Sequence, residues 1–145
     1  VRKQSRLFLY NIISVVKMIK DNLRILLVED HPFQLRATQY LLESFGFTRL
    51  ITTDCAQGAF QEMNRAEQPF DILLCDQCLP DMPGIELVKL ASELGMIRQA
   101  ILLSSLTSAE LDGIENSANI HDLPLLGYLI KPLKQSEFIQ LLTLT

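Results

Sequence analysis

The sequence predicts an α/β fold, a doubly wound parallel sheet built as (βα)5, with an extra amphipathic segment at its N-terminus. Two observations carry this prediction. Short continuous apolar runs, Ile25 to Val28, Ile72 to Cys75, Ala100 to Leu103 and Tyr128 to Ile130, are bounded by polar or turn residues, as strands buried on both faces require. Stretches with apolar residues at helical spacing lie between them, and strands alternating with helices imply parallel pairing through right-handed crossovers. The length of 145 residues suits one domain with a short appendage, divided here as 1–21 and 22–145.

In residues 1–21, Phe8, Ile12, Val15, Val16 and Ile19 fall at helical spacing, which predicts an amphipathic helix packed on a neighbouring surface. Arg2 to Arg6 followed by Leu7 to Val16 has the outline of a signal peptide. Asn11 and Ser14 interrupt it, however, and Lys17 and Lys20 stand where small cleavage-site residues belong. The chain begins with Val, and Met18 can serve as a start just before the first strand, so this stretch need not be native to the domain. From Asn22 onward the first strand, Ile25 to Val28, is followed by a helix from Pro32 to Phe45 carrying Leu35, Tyr40, Leu41 and Leu42. A weaker strand, Leu50 to Thr53, leads to a helix over Ala56 to Asn64. The remaining strands alternate with helices over Gly84 to Leu94, Ser108 to Ser117 and Lys134 to Leu142. Pro32 suits a first helical turn, Gly46 suits a helix end, and Thr53 or Asp54 can cap the second helix.

Composition narrows the function classes. Apolar residues make up 48% and charged ones 21%, enough for a real core and without the signature of disorder. The net charge is −4. Arg2, Lys3, Arg6 and Lys17 lie in the first 17 residues, leaving 9 basic and 17 acidic residues, a net −8, on residues 18–145. Such a charge balance argues against a general affinity for phosphate backbones, so no nucleic acid is expected as a direct partner. No apolar run reaches the length of a membrane span. Three cysteines, Cys55, Cys75 and Cys78, are an odd number in a chain that needs no staples, and they read as thiols of a reducing, cytoplasmic protein.

In open parallel sheets the ligand site lies beyond the C-terminal ends of the strands. The residues there are Glu29 and Asp30 after the first strand, Asp76 after the third, Ser104 and Ser105 after the fourth and Lys131 after the fifth. Three carboxylates in one crevice repel unless a cation neutralises them, and an all-oxygen site that keeps several waters is what Mg²⁺ prefers. Lys131 and the Ser104 hydroxyl suit the oxygens of a transferred phosphoryl group, and Asp76, central among the strand ends, suits a nucleophile. The Cys75–Cys78 spacing invites a redox reading, but Cys75 belongs to a buried strand and the pair encloses an acid that opposes a thiolate. No second pair of ligands has zinc spacing, and His31 and His121 read as surface or loop residues.

These strand ends resemble the receiver domain of two-component response regulators over residues 22 to 142. The resemblance rests on Glu-Asp-His-Pro at 29–32, Asp-Gln-Cys-Leu-Pro-Asp-Met-Pro-Gly at 76–84, Leu-Leu-Ser-Ser at 102–105 and Gly-Tyr-Leu-Ile-Lys-Pro at 127–132. It implies a flavodoxin-like sheet of order 2-1-3-4-5. It also implies Asp76 as phosphoacceptor, Mg²⁺ held by Glu29, Asp30, Asp76 and the Cys78 backbone carbonyl, Ser104 and Lys131 on the phosphoryl oxygens, and a switch through Ser104 and Tyr128. The partners implied are a histidine kinase or phosphotransfer protein and an output domain or partner protein, met through the face of the fourth helix, fifth strand and fifth helix. A dimer is compatible with it. The 27-residue span from Ser104 to Lys131 is longer than in most receivers, and Asn116 to Pro124 departs from the usual entry to the fifth strand, so partner choice is not carried over. Only 14 residues follow Lys131, which leaves a single-domain regulator or the receiver piece of a longer protein.

Two other classes compete. A phosphorylation-independent pseudo-receiver would bind partners without the chemistry, and the intact set Glu29, Asp30, Asp76, Ser104 and Lys131 argues against it. An aspartyl-phosphate phosphatase of the haloacid dehalogenase type places a second acid two residues after its nucleophile, where this chain has Cys78. The domain is accordingly expected to be a signalling phosphoacceptor rather than an enzyme acting on other substrates.

Overall fold

The computed structural model of the chain describes residues 2–105 and 122–143. The helix expected over 108–117 and His121 lie outside the described residues. The elements are α1 (Arg2–Asn22), β1 (Arg24–Val28), α2 (Pro32–Ser44), β2 (Arg49–Thr53), α3 (Ala56–Arg65), β3 (Phe70–Asp76), α4 (Gly84–Glu93), β4 (Ile97–Ser104), β5 (Leu125–Ile130) and α5 (Gln135–Thr143). All strand pairs are parallel and the sheet order is β2-β1-β3-β4-β5, as expected.

Alternation along the strands explains why their apolar runs are continuous. Successive side chains point to opposite faces of a sheet. Leu26, Val28, Leu73, Cys75, Ala100 and Leu102 therefore pack against Ala56, Ala59 and Met63 of α3 and Leu87, Val88 and Ala91 of α4. Ile25, Leu27, Ile72, Leu74, Ile101 and Leu103 pack on the other face with Leu42 of α2, Phe47 and Phe138 of α5. Phe47 and Phe138 meet edge to face at 5.1 Å, a contact worth about 0.5–1.5 kcal/mol beyond burial that ties α5 to the turn after α2. With both faces of the central strands β1, β3 and β4 covered, the strand ends are open to polar chemistry.

Local signals set the helix boundaries. Pro32 is the first residue of α2, where its missing N–H costs nothing, and Gly46 follows the helix with φ +100 in the left-handed region. The α3 cap differs from expectation. Neither Thr53 nor Asp54 caps it. Cys55 is the N-cap, its Sγ accepting from Gly58 N, and the Asp81 carboxylate, reaching in from the loop after β3, accepts from Ala56 N and Gln57 N.

The expected N-terminal helix forms but does not pack its apolar side. Phe8, Ile12, Val15, Val16 and Ile19 of α1 are 39–66% exposed. Near the C-terminal end of the helix, Lys20 lies beside Gly46. No helix among the described residues is long and apolar enough to cross a membrane.

Candidate functional site

The C-terminal ends of β1, β3, β4 and β5 converge on one crevice at the switch point between β1 and β3. Glu29 leaves β1 with its backbone N–H donating to Thr53 O at 3.1 Å, which turns its side chain inward to 1% exposure. Asp30, next in the chain, is exposed, and Asp76, the last residue of β3, is 7% exposed. Carboxylate oxygens of Glu29, Asp30 and Asp76 lie within 4.8 Å of one another. The set contains no sulfur or nitrogen donor, so it fits a hard cation such as Mg²⁺.

Lys131 lies just beyond β5, anchored by its own N–H, which donates to Ser104 O at 2.9 Å. Its Nζ donates to Glu29 Oε2 at 3.1 Å, Asp76 Oδ2 at 3.0 Å and Gln34 Oε1 at 2.7 Å. Burial works against its charge, but the hydrogen bonds and charges of Asp76 and Glu29 more than offset it and leave its pKa above the ordinary value. Glu29 responds in the opposite sense for an acid: burial, then its hydrogen bond with Asp76, lift it to about 7, with Lys131 opposing the rise.

The loop after β3 is drawn tight beneath Asp76. Cys78 N–H donates to Asp76 Oδ1 at 3.2 Å, and Gly84 N–H donates to Gln77 O at 2.8 Å. Cys78 and Pro83 pair as an antiparallel bridge. Gly84 must be glycine here, because a Cβ would collide with the Asp76 carbonyl. Cys78 itself is exposed, whereas Cys75 is fully buried and its thiol is pushed well above the usual range, first by burial and then by the charge of Asp76. A buried thiol of this kind is inert.

Ser104 ends β4 at 1% exposure. Tyr128 pairs in register with Leu102 and lies half-buried against the α3 and α4 side of the core. His31 is exposed, as expected. The structure thus brings Glu29, Asp30, Asp76 and Lys131 together, with Ser104 at the neighbouring strand end. An apolar groove of about 290 Å³ adjoins them, lined by Phe33, Ala37, Leu41 and Pro132 among others. A larger cavity of about 440 Å³ lies beside Arg24 and Arg65, where none of these carboxylates is found.

Sequence reasoning missed Gln34 and Asp81. Gln34 is the third residue of α2, and a glutamine in a first helical turn carries no local mark of the lysine it meets. Asp81 sits in a Pro-Asp-Met-Pro turn that reads as a solvated loop, and nothing local says that it reaches α3.

The response regulator receiver domain family matches residues 25–143. The two-component response regulator ORR1 of Oryza sativa subsp. japonica is 32% identical over 123 residues, covering 79% of this chain and 51% of that protein. The transcriptional regulatory protein ZraR of Escherichia coli K12 is 30% identical over 118 residues, covering 80% of this chain and 24% of that protein. The chain therefore spans about half the length of one relative and a quarter of the other. A CheY-like response regulator receiver domain from Methylobacillus flagellatus superposes with a TM-score of 0.66 at 23% identity, covering 82% of this chain and 94% of that one, a likeness of fold. With a family match across the whole sheet and the strand-end carboxylates in place, this chain belongs to the receiver domains of two-component response regulators.

Proposed function

We propose that Asp76 is the phosphoacceptor of this receiver and that a histidine kinase or phosphotransfer protein supplies the phosphoryl group. The observation that carries this reading is the Lys131 ammonium bridging Glu29 and Asp76, beside a third carboxylate, at the mouth of a parallel sheet. An Asp76 oxygen attacks phosphorus as the phosphorus–nitrogen bond of a phosphohistidine breaks. The bonding pair leaves with the imidazole nitrogen and a new acyl phosphate remains. Lys131 and the Ser104 hydroxyl take up charge on the phosphoryl oxygens, and Cys78 N–H holds the Asp76 carboxylate in orientation. Glu29, Asp30, Asp76 and the Cys78 carbonyl would hold Mg²⁺, which supplies neutralisation of phosphoryl charge when bound. The domain is thus a signalling phosphoacceptor whose output, an attached domain or a separate protein, reads the face that includes β5 and α5.

Incubation with acetyl phosphate and Mg²⁺ is expected to add one phosphoryl group, seen by intact-mass spectrometry, and Asp76→Asn or chelation is expected to abolish it. Persistent single phosphorylation of the Asn variant removes Asp76 from the role.

A further inference from the structure

We propose that Gln34 is a positioning residue that holds the Lys131 ammonium at the Asp76 carboxylate, a reading that rests on Asp76 being the phosphoacceptor. A lysine ammonium has three N–H donors and no acceptor. In this crevice each donor has its own acceptor: Asp76, Glu29 and Gln34. The Gln34 contact, at 2.7 Å, is the shortest of the three and the one whose acceptor is uncharged. Its amide oxygen must face the ammonium, because the amide NH₂ there would set donor against donor.

The three acceptors are not equivalent. Glu29 and Asp76 belong to the carboxylate set that fits a cation, and a carboxylate oxygen shared with a cation is a weaker acceptor for an ammonium. Asp76 also loses acceptor capacity once it carries the acyl phosphate. Gln34 is neutral, stands outside that set and sits in the first turn of a helix whose start is fixed by Pro32. Its hold on Lys131 is therefore the one that neither metal occupancy nor phosphorylation removes. Without it, a four-carbon side chain with many rotamers would be oriented only by groups engaged in the chemistry.

Gln34→Leu removes the acceptor while keeping approximate size, and apolar neighbours in the adjoining groove accommodate it. Gln34→Glu restores an acceptor. Two measurements on the full chain test the proposal. In protein saturated with Mg²⁺, where the carboxylates are shared with the cation, ¹⁵N-edited NMR of the lysine ammonium groups at low temperature should show a protected Lys131 signal in wild type. That signal should be lost to fast exchange in Gln34→Leu and return in Gln34→Glu. With acetyl phosphate at saturating Mg²⁺, the phosphorylation rate constant of Gln34→Leu should fall about ten-fold, as misplacement of a catalytic group implies, and recover partly in Gln34→Glu. The Mg²⁺ affinity of Gln34→Leu, by calorimetry, should stay within about two-fold of wild type because no ligand is lost. A protected Lys131 signal and an undiminished rate in Gln34→Leu would overturn the proposal. Failure of wild type to accept a phosphoryl group would overturn the phosphoacceptor reading instead, and the NMR comparison would still report whether Gln34 holds Lys131.

Discussion

At the scale of single residues, the site is governed by how its charges are divided. Burial, then the hydrogen bond with Asp76, raise the Glu29 pKa to about 7 against the opposing pull of Lys131, so in the metal-free protein it holds a proton well above the ordinary carboxylate range. The sign follows directly. Over the interval from the ordinary carboxylate pKa to about 7 the folded state binds more protons than the unfolded chain, so the contribution of Glu29 to stability falls as pH rises through that interval. A proton on Glu29 also competes with any cation. Mg²⁺ affinity measured by calorimetry should therefore rise about ten-fold between pH 6 and pH 8 and then level off. Glu29→Gln should weaken binding and flatten that dependence. An affinity independent of pH in wild type would mean that Glu29 is already ionised at pH 6. These acids were legible in the sequence because each ends an apolar run, a position that topology alone assigns to the mouth of the sheet. Gln34 was not, because a glutamine in a first helical turn has the same look whether it faces solvent or a lysine 97 residues away.

At the scale of elements, the strands and helices follow from period and punctuation, while the ties between them do not. Continuous runs such as Leu73 to Cys75 fix buried strands, and the observed β3 and β4 extend beyond them because Phe70 and Ile97 continue the same pairing. The α1 helix was legible from its spacing, but its expected packing was not realised, since periodicity reports a face and not what covers it. Asp81 is the clearest non-local tie. Its carboxylate accepts from Ala56 N and Gln57 N, both at 2.9 Å, and so fastens the loop carrying Cys78 to the N-terminus of α3. Slight burial opposes its ionisation, and these backbone donors prevail, holding its pKa below the usual carboxylate value. The stabilisation it gives is therefore present above the ordinary aspartate pKa and is lost as pH falls through the lowered one. Asp81→Ala should cost about 1 kcal/mol in urea denaturation at pH 7, the usual size of a lost helix cap. The deficit should shrink as the same titration is repeated at increasingly acid pH, through the lowered Asp81 pKa, where wild type loses the interaction too. An undiminished deficit there would show that Asp81 acts through loop geometry rather than through its charge on the helix donors.

At the scale of the whole molecule, backbone pairing connects the crevice to the far edge of the sheet. Ser104 ends β4, pairs in register with Ile130 of β5, and its carbonyl accepts from Lys131 N–H. Tyr128 lies two residues before Ile130 on the same strand and packs, half-buried, on the α3 and α4 side. A hydroxyl drawn toward an added phosphoryl group would change the space beside β5 that an aromatic ring can enter, altering the edge of the sheet without moving the core. Moving such an equilibrium almost completely requires the phosphoryl group to favour one state by on the order of 5 kcal/mol, so the loss of one hydrogen-bonding partner should leave the transition visibly incomplete. Wild type and Ser104→Ala should both take up a phosphoryl group, because Ser104 is neither nucleophile nor metal ligand in this arrangement. Only wild type should then show large NMR shifts at Tyr128 and along β5. Equal shifts in the two proteins would place the outgoing signal on Lys131 instead, whose side chain spans β1, α2 and β3 while its backbone holds β4 and β5 together.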